Sequence, residues 1–107
     1  MPHAYVIATA CTPFGKHADR SFQDLARWAY LDLLADAGLN ADSARLIGQA
    51  WFGNCGMGQW GQGGIRGQVC LTPLVEEGWF PERVGVVNVE GGCATGSLAF
   101  QGALRDV

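Results

Sequence analysis

Four cysteines and two histidines are the side chains best suited to nucleophilic or proton-transfer chemistry in this 107-residue chain. Cys93 stands apart by its surroundings, following Val86-Val87-Asn88-Val89-Glu90-Gly91-Gly92 and preceding Ala94-Thr95-Gly96-Ser97. A β-branched run that crosses two glycines into small, helix-compatible residues predicts a strand, a tight turn and a helix start, with Cys93 at the bend. Helix-start N–H groups and the positive end of the helix dipole favour negative charge on sulfur there, and the thiolate is the nucleophilic form. The alternative from position alone is a structural thiol, since free cysteines are often packing residues.

The remaining candidates are weaker. Cys11 follows an apolar run, and Cys55 and Cys70 lie in or after a glycine-rich loop; all three read as packing residues. His3 stands near the terminus and His17 in a polar loop, so both read as solvated, and no Cys–His pair can be assembled. A cysteine nucleophile normally needs a neighbouring base, so that base lies beyond Val107 or Cys93 is not catalytic. Glu90 either holds the loop or is solvated. Without a C-x-x-C pair, and with both histidines far from any cysteine, a zinc site is not expected. Gly56-x-Gly58-x-x-Gly61 matches the dinucleotide fingerprint after an expected strand. Trp60, the continuation Gln62-Gly63-Gly64 and the lack of a strand-end acid about 20 residues on favour a flexible or closely packed loop instead.

The elements that must position these residues alternate. Residues 4–10 read as a buried strand. Ser21, with Asp24 three residues later, opens a helix through residue 37, with Leu25, Ala26, Ala29, Leu33, Leu34 and Ala37 on its apolar face and Gly38 as its stop. Residues 40–46 form a polar connector. Residues 47–54 read as a second strand, and residues 65–77 as a helix that Thr72-Pro73 kinks or breaks early. Residues 84–89 form a third strand, and residues 95–106 a helix apolar nearly all round, hence interior. The order β-α-β-α-β-α calls for an α/β fold with a mainly parallel sheet and packed helices.

Composition sets outer limits. Hydrophobic residues make up 49% and charged residues 16% of the chain, which marks a globular domain with a buried core. A net charge of −3 with seven scattered Lys and Arg gives no basic patch for nucleic acid. No stretch is long and apolar enough for a membrane span, and the start lacks a signal peptide's basic and apolar regions. Reduced thiols in a cytoplasmic setting follow as the expectation. The helix ending at residue 106 has no closing strand after it, so residues 1–107 read as one partial domain of a longer protein.

Taken together, Asn88-Val89-Glu90-Gly91-Gly92-Cys93-Ala94-Thr95-Gly96-Ser97 resembles the nucleophile loop of the thiolase superfamily, a strand ending in a V-N-x-x-C-A-S/T-G-S-type motif. Val6-Ile7-Ala8-Thr9-Ala10-Cys11-Thr12-Pro13-Phe14-Gly15-Lys16 resembles that family's opening strand and R-T-P-x-G-K turn. Cys11 stands in place of the arginine, which points away from the classical biosynthetic and degradative branch. Gly53-Asn54, the glycines after it and Arg66 are similar to the family's G-N-x-x-x-G…R segment. The whole looks closest to sterol-carrier-type or lipid-transfer-type thiolases, and the match keeps family order over almost the entire chain.

What the resemblance implies is a thiolase-like fold, of which this is the opening part of the N-terminal half. It implies acyl transfer through a thioester on Cys93, with the Cys93 backbone N–H on the thioester oxygen, coenzyme A as a substrate and no other cofactor. It also implies a homodimer, and a histidine and second cysteine, serving as base and proton donor, that this chain does not contain; the 107 residues alone are therefore expected to be inactive. Two further readings stand beside it: a lipid-transfer-type relative cleaving or joining carbon–carbon bonds of steroid or fatty acyl-CoA, and a non-catalytic partner that keeps the fold for assembly.

Overall fold

The structure is a computed structural model that describes residues 3–107. Helix α1 (Phe22–Ala37), strand β1 (Ala50–Gly53), helix α2 (Arg66–Glu76), strand β2 (Val86–Val89) and helix α3 (Thr95–Arg105) follow one another, with short 3₁₀ turns at Ser43–Leu46, Met57–Trp60 and Gly92–Ala94. The chain divides into two compact units. One holds His3, Ala4 and residues 47–69 and 83–107; the other holds residues 5–46 and 70–82.

The first unit is a small α/β arrangement. Strands β1 and β2 pair in parallel, Ala50 opposite Val86 through Gly53 opposite Val89. Parallel neighbours need a crossover, and the glycine-rich loop and α2 lie in the chain between them. Side chains alternate across the sheet, and the two faces can be told apart. Phe52, Val86 and Asn88 face the first turn of α2, where Gly67 comes so close that a Cβ would stand 2.5 Å from Val86 Cγ1 and 2.7 Å from Phe52 Cβ. Trp51 and Gly53 face α3, packed on Gly102 and on Thr95 and Ala99 respectively. The Trp51 indole N–H donates to the Asp106 carboxylate at 2.6 Å. Met57, 1% exposed, and Val84, 7% exposed, close this core.

The second unit is organised by α1. Ser21 and Asp24 form a reciprocal capping box, the Ser21 hydroxyl accepting from Asp24 N–H at 3.0 Å and the Asp24 carboxylate from Ser21 N–H at 2.9 Å. At the other end Gly38 adopts φ 70°, and Gly38 and Leu39 N–H return to the Ala35 and Leu34 carbonyls, a Schellman ending. The later part of α2 supplies Cys70 and Leu74, which are buried together with Leu34 and Phe80. Tyr30 donates its hydroxyl to the Trp79 carbonyl at 2.6 Å and meets the Phe80 ring edge-on at 5.8 Å. Arg27 and Glu77 form an exposed two-point ion pair, 2.7 Å at its shorter contact.

Several expectations need correction. Residues 4–10 form no strand: the backbone has no ladder partner, Tyr5, Val6 and Ile7 are exposed, and Thr9 N–H bonds to the Asp36 carboxylate. A strand exists only through a neighbouring backbone, and the sheet has two strands instead of three. α2 shows no early break at Thr72-Pro73, running through Pro73 to Glu76. A helix proline forfeits one backbone hydrogen bond, and the burial of Cys70 and Leu74 on either side holds the turn. Nor is α3 interior, because Leu98, Phe100 and Leu104 are 41%, 58% and 49% exposed. No helix among the described residues is long and apolar enough to cross a membrane.

Candidate functional site

In a parallel pair both strands end on the same side, and there β1 and β2 release the loops that carry the candidate residues. After Val89 the chain passes Glu90 and Gly91 (φ −157°, ψ 35°), then enters the turn Gly92–Ala94 that leads directly into α3. Gly92 has φ 60°, a left-handed conformation that explains one of the two glycines. Gly91 answers a different need, since a Cβ there would lie 2.3 Å from Leu98 Cδ1.

The turn is braced from within. Gly91 N–H donates to Thr95 Oγ1 at 2.9 Å, and the Thr95 hydroxyl donates on to the Gly92 carbonyl at 2.7 Å. Gly92 N–H donates to the Glu90 carboxylate, Ala94 N–H to the Gly91 carbonyl and Thr95 N–H to the Gly92 carbonyl. Among the described residues, Cys93 N–H has no acceptor, and its side chain is exposed. Four of five consecutive backbone donors are thus committed, and the one left free belongs to the cysteine. A free N–H beside a nucleophilic sulfur is the geometry that holds the oxygen of an acyl group on that sulfur.

The neighbouring strand end is tied to this turn. Asn54 N–H donates to the Val89 carbonyl at 3.2 Å, its side-chain oxygen accepts from Met57 N–H at 2.8 Å, and its carbonyl accepts from the Arg66 guanidinium. A Cβ on Gly53 would stand 3.0 Å from the Thr95 carbonyl oxygen. Glycine at the end of β1 therefore lets the start of α3 close onto the sheet.

The other sequence candidates separate from this centre. Gly56, Gly58 and Gly61 do not open an α-helix: Met57–Trp60 is a 3₁₀ turn, Gly61 ends it at φ 94°, and α2 starts only at Arg66. Gly58 packs against Arg66, whose Nη2 would lie 3.3 Å from a Cβ there. These glycines accommodate an arginine of the same chain. Cys11 and Cys55 are exposed and not packing residues, because residues 4–10 bury nothing and Cys55 sits in a loop; Cys70 is packed, and burial pushes its thiol pKa up. His17 is half-buried and not freely solvated, its Nε2 2.8 Å from the Pro13 carbonyl and its ring edge-on to Trp28 at 5.6 Å. His3 is exposed. Among the described residues no group of three His, Cys, Asp or Glu side chains gathers as metal ligands would.

Two residues matter more than their sequence context suggests. Thr95, 6% exposed, is the one buried polar side chain among the described residues and braces the Cys93 turn. Its signal was a hydroxyl residue at a helix start, where such side chains bond nearby backbone. Asn88 accepts from Gly67 N–H at 2.6 Å and donates to Gln68 Oε1 at 2.7 Å, a long-range role that no local pattern announces.

No protein-family model and no solved structure matches the chain. Among curated proteins it is similar to the benzoylsuccinyl-CoA thiolase subunit BbsB of Thauera aromatica, 32% identical over 103 residues. The aligned stretch covers 96% of this chain and 24% of that protein, so the chain spans about a quarter of its relative's length. At that level the chain is related to a thiolase subunit.

Proposed function

We propose that these residues belong to a thiolase-type acyl-CoA C-acyltransferase in which Cys93 carries the acyl group. The observation that supports this most directly is the Cys93 turn, which leaves one backbone N–H and one exposed thiol free at the same residue. The relation to a thiolase subunit adds to it independently.

In the proposed reaction the Cys93 sulfur, as thiolate, attacks the acyl carbonyl carbon. A carbon–sulfur bond forms, and either the CoA thiolate or, from a 3-ketoacyl-CoA, the enolate of a shortened acyl-CoA departs and takes up a proton. The carbonyl oxygen, negative in the tetrahedral intermediate, lies against Cys93 N–H. Attack on the thioester by CoA, or by an enolate in the synthetic direction, releases the product and restores the thiol. Residues 1–107 act as part of this machinery, with the base and proton donor supplied by other parts of a longer, dimeric protein. The relative's printed name calls it a subunit, which favours action within an assembly.

The test is mass spectrometry of the full-length polypeptide incubated with acyl-CoA. Wild-type protein is expected to gain one acyl group on the peptide containing Cys93, and Cys93→Ser to gain none while keeping its thermal midpoint. Acylation persisting in Cys93→Ser at the wild-type rate removes Cys93 from the reaction. A folded wild type that never acylates favours a non-catalytic partner.

A further inference from the structure

The first turn of α2 grips both strand ends. Helix starts leave backbone N–H groups without intrahelical acceptors, and a side-chain oxygen at the residue before the helix usually supplies one. Here that residue is Ile65, which has no such oxygen and holds a φ of 41°, rare for a β-branched residue. The acceptor comes instead from the sheet: Asn88 Oδ1 takes the N–H of Gly67 at 2.6 Å. The Asn88 amide also donates to Gln68, and the Gln68 amide returns to the Val86 carbonyl at 3.2 Å, closing a ring of bonds between α2 and β2. On the other strand Arg66 holds the Asn54 carbonyl, and Asn54 N–H holds Val89.

We propose that Asn88 is a positioning residue for acyl transfer at Cys93, an inference that rests on the reading above. Asn88 caps α2 from within β2 and thereby fixes where β2 ends. The Cys93 turn begins three residues after Val89 and is braced from within, so a shift of the strand end moves sulfur and free N–H together relative to a bound acyl group. Displacement on the order of 1 Å can cost a factor of about 100 in rate. Glycine at position 67 is part of the same device, because any Cβ there would come within 2.9 Å of Asn88 Oδ1.

The experiment compares Asn88→Ala and Asn88→Asp with wild type in the full-length polypeptide. It measures the acylation rate constant and the half-saturating acyl-CoA concentration, with hydrogen exchange at the Gly67 amide. Asn88→Ala is expected to acylate about 10- to 100-fold more slowly with half-saturation little changed, and its Gly67 amide to exchange faster. Asn88→Asp keeps an acceptor at a helix N-terminus, where negative charge is favourable, and is expected to recover most of the rate and the protection. Circular dichroism counts the folded fraction, so that rates refer to folded protein. Equal rates for Asn88→Ala and wild type, or Asn88→Asp as slow as Asn88→Ala, overturn the positioning role alone. A folded wild type that does not acylate overturns the acyl-transfer reading, and this role with it.

Discussion

Gly102 lies against the indole of Trp51 so closely that a Cβ on it would stand 2.4 Å from Trp51 Cε3. The indole cannot slide aside freely, because its N–H is held by Asp106, four residues along the same chain segment. Gly102 is also fully inside α3, where alanine would ordinarily gain about 1 kcal/mol over glycine. The clash outweighs that gain, since overpacking a close-packed site costs about 1–3 kcal/mol. Gly102→Ala is expected to lower the urea midpoint. Gly91→Ala should cost less, because the atom it meets is the end of a flexible Leu98 side chain. Equal or reversed effects would show that α3 does not seat on β1 as described.

The Ser21–Asp24 cap and the Arg27–Glu77 pair give the second unit an acid-sensitive component. The Ser21 backbone N–H and hydroxyl hold the Asp24 carboxyl below its ordinary value of 3.8, and Arg27 holds Glu77 below 4.5. Both groups bind protons more readily in the unfolded chain, so their contribution is complete above the ordinary carboxylate range. It is lost as pH falls through the depressed folded values. Urea midpoints of wild type and an Asp24→Asn, Glu77→Gln double variant should differ at pH 7 and converge towards pH 3. A gap that stays constant over that range would remove both interactions from the account.

Thiol reactivity separates the four cysteines. Cys11, Cys55 and Cys93 are exposed, whereas Cys70 is 1% exposed, with its thiol pushed up by desolvation. A raised thiol pKa means less thiolate at any given pH and slower alkylation. Brief iodoacetamide treatment near neutral pH is expected to label the three exposed residues and spare Cys70 until urea is added. Labelling of Cys70 as fast as the others would contradict the packing of α2.

These elements differ in how far they were legible in the residues alone. Helix α1 was readable because both of its ends are local, a capping box at Ser21 and Asp24 and a left-handed stop at Gly38. The turn carrying Cys93 was readable for the same reason, since the conformation at Gly92 depends on its own backbone. Residues 4–10 misled because an apolar run carries no information about whether a neighbouring strand exists to pair with it. α3 misled because apolarity all round says nothing about how much of a helix is covered. The brace by Thr95 is local, a helix-start hydroxyl bonding Gly91 and Gly92, whereas the cap by Asn88 depends on where α2 arrives, and nothing adjacent to that residue encodes it.

Gly92 offers the sharpest separation between folding and the proposed chemistry. Nothing lies within 4 Å of a Cβ built on it, so substitution there meets no packing clash and costs only backbone strain. At φ 60° that strain is about 1–2 kcal/mol for an ordinary residue, while asparagine tolerates the conformation better. Gly92→Ala can relieve the strain only by leaving the left-handed region. That rotates the N–H bonded to Glu90 and the carbonyl that accepts from Thr95, and so re-aims Cys93 N–H. Gly92→Ala is expected to lose only a small part of its stability but most of its acylation rate, with Gly92→Asn retaining more of both. Thermal melts and acylation rates of the two variants, measured side by side in the full-length polypeptide, decide it. If Gly92→Ala acylates as fast as wild type, the turn's conformation does not set the reactivity of Cys93.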